Sequence, residues 1–185
     1  MISQVRNFLA KASYRKDASG ITHARRMVPL TDARCIGILY VLNDPADYDT
    51  VAAFVSRLQH ERKEVKALGF VKNKILISRF LPKLSFDFFS QKDVTWFYKP
   101  IHSKVRDFID REFDILIDLN LQDFFPLKYI SGLSKARCRV GRYSESNMEF
   151  YDLMIETKPG TGMTEYIEQI HHYLSVINRN EKGIQ

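Results

Sequence analysis

The stretch Cys35 to Leu42 in "RCIGILYVLNDP" is apolar without interruption and stops abruptly at Asn43-Asp44-Pro45. A run of this kind is too short to cross a membrane and has no polar alternation, so it reads as a strand covered on both faces. Asp44 is placed to cap a following helix, and Pro45 suits that helix's first position. Helical spacing then brings Val51, Ala52, Phe54, Val55 and Leu58 onto one face, before the charged "QHERKE". "VKALGFV", residues 65–71, is a second strand of the same kind. Strand, helix and strand in this order form the crossover unit of a parallel sheet, which commits the chain to an α/β fold.

The rest of the sequence extends that pattern. "ILISRF" and "SFDFFS" read as extended, and "QKDVTWFYKP" as a loop or a helical turn. Ser103 to Glu112 offers Val105, Phe108 and Ile109 on one helical face and leads into "FDILIDLN", residues 113–120. The latter is expected to be a central strand. Period-two alternation predicts Phe113, Ile115, Ile117 and Leu119 on one face, with Asp114, Leu116 and Asp118 on the other. A carboxylate in the middle of a buried face must be paired, so Asp114 and Asp118 are expected at the two strand ends. Asp118 is expected to accept hydrogen bonds from the backbone around residues 120–128 or from the loop after Leu42, and Asp114 to be surface trim. A short helix starting at Pro126, a strand ending at Gly141, the acidic loop "SESNMEF" and the strand "YDLMIE" follow. A closing helix carries the stripe Met163, Tyr166, Ile167, Ile170, Tyr173, Leu174 and Ile177.

At the other end, residues 2–16 place Ile2, Val5, Phe8, Leu9 and Ala12 at helical spacing, which predicts an amphipathic helix with its basic side outward. The predicted organisation is a basic N-terminal helix and connector (1–33), one Rossmann-like three-layer α/β domain with a mostly parallel sheet (34–180), and a disordered tail (181–185).

Charge and motifs narrow the function. The net charge is +6, and Arg6, Lys11, Arg15, Lys16, Arg25 and Arg26 face a single acid, Asp17, within residues 6–26. Such an arm can meet RNA, phosphate or an anionic surface; Arg15, Lys16, Arg25 and Arg26 are the candidate anion ligands. Cys35 and Cys138 sit in strand-like segments and read as packed thiols of a cytoplasmic protein. His171 and His172 are adjacent on a helix and diverge by about 100°, so they cannot share a metal ion. His23, His60 and His102 have no Cys or carboxylate at ligand spacing. No phosphate loop, dinucleotide fingerprint or hydrolase elbow occurs. No metal and no cofactor are expected, while the partner is open: a protein or a phosphate-containing ligand, with nucleic acid the weaker reading.

"FDILIDLN", a short helix and "LSKARCRVG" together resemble a segment of heptosyltransferase-type glycosyltransferases, in the N-terminal Rossmann-like half. From about residue 30 onward the chain is also similar to a family of small uncharacterised bacterial proteins. These resemblances imply a glycosyltransferase-like half scaffold and no particular reaction. The glycine that follows the first strand in those transferases is missing from Leu42-Asn43-Asp44-Pro45.

In open parallel sheets, ligands bind beyond the carboxyl ends of the strands. The polar residues expected there are Asn43 and Asp44, Asp118 and Asn120, and Glu156, Thr157 and Lys158. These are the ligand-binding candidates, with Asp44 and Asp118 as possible acid and base. A non-catalytic ligand- or partner-binding protein is the first expectation, because helix capping and turn bonding explain the same residues. A small enzyme acting on a phosphorylated or nucleotide-linked substrate is the alternative.

Overall fold

The computed structural model describes residues 2–72 and 84–177, so "ILISRF" and the tail 181–185 lie outside the described residues. Six strands lie among the described residues: β1 (Cys35–Leu42), β2 (Glu64–Val71), β3 (Phe86–Ser90), β4 (Ile115–Asp118), β5 (Cys138–Arg142) and β6 (Leu153–Ile155). All neighbouring strands pair in parallel, in the order β3-β2-β1-β4-β5-β6. That order is the doubly wound one, with its reversal point between β1 and β4. Among the described residues five α-helices accompany the sheet: α1 (Ile2–Ala18), α2 (Pro45–His60), α3 (Ser103–Asp110), α4 (Phe125–Leu133) and α5 (Met163–Val176).

Alternation along the central strands divides the core. Ile36, Ile38, Ile115, Ile117 and Val140 pack with Val51, Val55 and Leu58 of α2 and Ile167, Ile170 and Leu174 of α5. Leu39, Leu68 and Leu116 pack on the opposite side with Val105 and Phe108 of α3 and Leu127 and Ile130 of α4. The three-layer expectation holds, and every strand pairing is parallel. β4 is the central strand predicted for "FDILIDLN".

Phe113 departs from the predicted face. It precedes β4 and packs beside Phe108, at 4.8 Å between ring centroids, on the side of Leu116 rather than that of Ile115. Gly37 explains the placement, because a Cβ there would stand 2.9 Å from Leu116 and 3.0 Å from Phe113. The missing side chain leaves a hollow over β1 that both residues fill.

Asp114 also does more than trim a surface. Its Oδ2 accepts the backbone N–H groups of Arg34 (2.8 Å) and Cys35 (3.0 Å), and its Oδ1 pairs with Arg137 at 3.2 Å. Burial alone would raise this carboxyl, but the N–H groups of Cys35 and Arg34 and the charge of Arg137 hold it below the usual range. The side chain therefore ties the start of β1 to the start of β4 and β5. Asp114→Ala should cost about 1–2 kcal/mol in urea denaturation, through donors left without an acceptor. A loss of only a few tenths would return Asp114 to the role of trim.

The N-terminal helix is docked with its polar and aromatic side inward. Ala10 and Tyr14 are buried, and Tyr14 packs on Tyr129 (5.6 Å between centroids) and Phe150 (5.0 Å). Its ring fills the space above Gly132, where any side chain would collide with it. Asp17 accepts the Tyr129 hydroxyl and pairs with Lys99 at 2.6 Å, while Arg6 lies 4.2 Å above the Tyr98 ring. These fixed partners set the helix rotation. Val5, Phe8 and Leu9 consequently face outward at 49%, 71% and 37% exposure, among the basic residues rather than opposite them.

Candidate functional site

Parallel strands bring every carboxyl end to one edge of the sheet. β1 and β4 are neighbours there, but Asp118 is level with Leu39, so β1 runs on past β4 and carries Asn43 and Asp44 beyond the level of Asp118. β6 is not their neighbour, because β5 separates it from β4, and Glu156 and Lys158 belong to a more distant part of the edge. Both are exposed. Lys158 opens a turn closed by Thr161 N–H to its carbonyl at 3.1 Å, with Gly160 in the left-handed region at φ +86°.

The start of α2 is closed by the protein's own carboxylates. Asp44 Oδ1 accepts the N–H groups of Ala46 (2.8 Å) and Asp47 (3.2 Å). Asp47 Oδ2 accepts those of Asn43 (2.8 Å) and Asp44 (3.2 Å). This reciprocal capping box occupies the donors that hold a phosphate in nucleotide-binding sheets of this order. Asp44 thus has the capping role expected of it.

Asp118 is the buried group of the edge. Its Oδ2 accepts the Tyr151 hydroxyl at 2.5 Å and its Oδ1 the Asn120 N–H at 2.9 Å. Tyr166 donates to the backbone carbonyl of Asp118 at 3.5 Å. Burial pushes the Asp118 carboxyl up to about 6, against the pull of the Tyr151 hydroxyl, the Asn120 N–H and the charge of Lys128. Burial and the nearby carboxylate raise Tyr151 well above its ordinary value, so it remains a hydrogen-bond donor. Gly141 positions that tyrosine: a Cβ on Gly141 would stand 2.7 Å from the Tyr151 ring, which lies flat against β5.

A second polar group lies beside it. Lys128, itself buried, bonds Asp123 (2.9 Å) and Ser146 (3.2 Å), and Arg142 approaches Asp123 at 3.5 Å. Burial acts to raise Asp123, but Lys128 and Arg142 together hold it low. The Asn147 amide donates to the Arg142 carbonyl at 2.6 Å and the Asn120 amide to the Gln122 carbonyl at 2.5 Å. Tyr151, Lys128, Asp123 and Arg142 carry no signal in the sequence, and Tyr166 reads there only as part of the apolar stripe of the closing helix. Tyr151 lies 33 positions from Asp118 with no motif between them. The local hint is Gly141, a glycine inside a strand, which signals a close approach.

The basic candidates fall on two elements. Arg15 and Lys16 are exposed on α1, and Arg25 and Arg26 on the connector. Arg25 donates to the Met148 carbonyl at 2.7 Å and lies 3.9 Å from Asp152. His171 contacts Glu61 and Arg57, whereas His172 stacks near Tyr173, so the two rings have separate surroundings. No cluster of three or more His, Cys, Asp or Glu side chains suited to a metal ion occurs among the described residues. No helix among them is long and apolar enough to cross a membrane.

Residues 6–177 match the model of a family described as a family of unknown function (DUF6913). No curated protein and no solved structure matches the chain.

Proposed function

We propose, on the premise that this chain belongs to the family of unknown function DUF6913, that it is a non-catalytic binding protein on a Rossmann-like scaffold. It docks on an anionic phospholipid surface through α1. The observation that carries this reading is the outward face of α1. Val5, Phe8, Leu9 and Ala12 form an exposed apolar line, and Lys11, Arg15 and Lys16 are exposed along it. The helix's acid, Asp17, is turned inward and paired with Lys99. A docked helix with apolar and basic residues side by side fits an interface of headgroups over acyl chains. Exposed Trp96 belongs to the loop that Tyr98 and Lys99 fasten to α1, and tryptophan favours the same interface. RNA fits less well, because Phe8 is the single aromatic residue on that face and single-strand binding needs a stacking platform.

The carboxyl edge supports a non-catalytic reading. Asp44 is engaged as a cap, and Asp118 is covered at 4% exposure by its own tyrosine partners. The heptosyltransferase-like resemblance contributes a scaffold to this proposal and no reaction. The test is co-sedimentation of the full chain with vesicles of phosphatidylcholine alone or mixed with phosphatidylglycerol. Binding should require the anionic lipid, weaken as salt rises, and fall at least tenfold in Phe8→Ser/Leu9→Ser and in Lys11→Glu/Arg15→Glu. Both pairs are exposed, so the fold should survive. Absent binding, or binding that ignores both variants, overturns the reading.

A further inference from the structure

The opposite edge of the sheet holds a group that the docking role does not use. Arg139, the second residue of β5, is 4% exposed, and burial lowers its pKa. Its Nη2 donates to the Ser134 carbonyl at 2.6 Å, while its Nε has no hydrogen-bond partner among the described residues. No carboxylate among them lies within ion-pair distance of its guanidinium, although Asp152 accepts its backbone N–H at 2.8 Å. The charge of Asp152 acts on it without a direct ion pair and offsets only part of the effect of burial, so a further counter-charge would be favourable.

Arg139 lines a pocket of about 370 Å3, in the size range of small-molecule sites. Thr22, His23, Lys135 and Arg137 line the same pocket, with Glu112 as its acid. Asp152 holds His23 Nε2 at 2.9 Å, which fixes that ring at the wall. The side chains of Lys135 and Arg137 are 56% and 63% exposed. The pair of Lys135 with Asp110 at 2.8 Å lies at the protein surface, so that cation can swing inward at small cost, whereas Arg137 stays paired with the largely buried Asp114 at 3.2 Å and reaches the pocket from there.

We propose that this pocket binds a small phosphate monoester, with Arg139 and Arg137 holding the phosphate, Lys135 adding charge, and Thr22 donating from the wall. Guanidinium groups suit this ligand because their fork matches the phosphate oxygens. The site is separate from the carboxyl edge and from the outward face of α1, and nothing in the local sequence marks it as a motif.

The test uses inorganic phosphate and phenyl phosphate with the full chain, by titration calorimetry and thermal shift at constant ionic strength. Saturable binding of phenyl phosphate that raises the melting temperature is expected, with chloride unable to replace it. Lys135→Gln/Arg137→Gln should weaken binding at least tenfold without lowering the ligand-free melting temperature by more than a few degrees. Arg139→Lys, which keeps the charge but loses the fork, should also weaken it at least tenfold. Failure of both phosphates to bind the wild type overturns the proposal. So does binding that both variants retain, which would mean weak surface attraction only.

Discussion

Ile117→Ala is expected to remove ~2–5 kcal/mol of folding stability. Ile117 is fully buried in the middle of β4, in register with Ile38 on one side and Val140 on the other. The β-sheet backbone around it is fixed by two parallel ladders and cannot collapse into the space left by three carbon atoms. The loss is therefore the transfer free energy of those atoms together with the cost of a persistent cavity. Urea denaturation should show a lower midpoint with an unchanged slope. A change below ~1 kcal/mol would mean that β4 does not occupy the centre of the sheet.

The second large effect is a pH dependence that Asp118 alone produces. Its carboxyl is raised from 3.8 to about 6 in the folded protein, roughly 3 kcal/mol at 1.36 kcal/mol per unit. For a carboxyl raised by folding, the native state binds more protons than the unfolded chain between the two pKa values. The contribution of Asp118 to stability is thus complete below about pH 4 and lost as the pH rises to about 6. Other carboxyls act in the opposite direction, since Asp17, Asp87, Asp114 and Asp123 are held low by their partners. A comparison with Asp118→Asn isolates the one group, because the amide oxygen can take the Asn120 N–H while the amide NH2 donates to the Tyr151 oxygen, whose hydroxyl can rotate. Relative to the wild type, the variant should gain about 3 kcal/mol between pH 4 and pH 7. A difference that stays flat over that range would show that the carboxyl is not raised.

The two residues differ in how much of their environment is written in the neighbouring sequence. Ile117 was legible because period-two alternation in an unbroken apolar strand depends on neighbours in the sequence. The capping role of Asp44 was legible for the same reason: its partners, Ala46 and Asp47, lie two and three positions away. Asp118 is legible as a strand-end acceptor for backbone around residues 120–128 or after Leu42, and Asn120 falls in the first range, but its side-chain partner is Tyr151, which only the pairing of β4 with β5 and of β5 with β6 brings near. Asp114 was misjudged on the same ground, since its acceptor role depends on backbone groups 79 and 80 positions earlier. The rotation of α1 was not legible. Its apolar spacing is a local property, whereas its docking depends on Tyr129, Lys99 and the empty space at Gly132. The pocket around Arg139 likewise gathers residues from the connector, the end of α4 and β5.

The strand order also bears on how the chain reaches its native state. β1, α2 and β2 are consecutive, so their pairing closes a short loop and can form early. The central seam is different, because Ile36 meets Ile115 only after α2, β2, β3 and α3 have been synthesised and drawn aside. Closing that seam costs chain entropy before the contacts at Ile117 and Leu39 repay it. Until then, one edge of β1 presents unpaired backbone groups among apolar side chains, the condition in which folding intermediates associate. The same junction that gives the mature sheet its reversal point is thus the place where an unfinished molecule is most exposed to its neighbours.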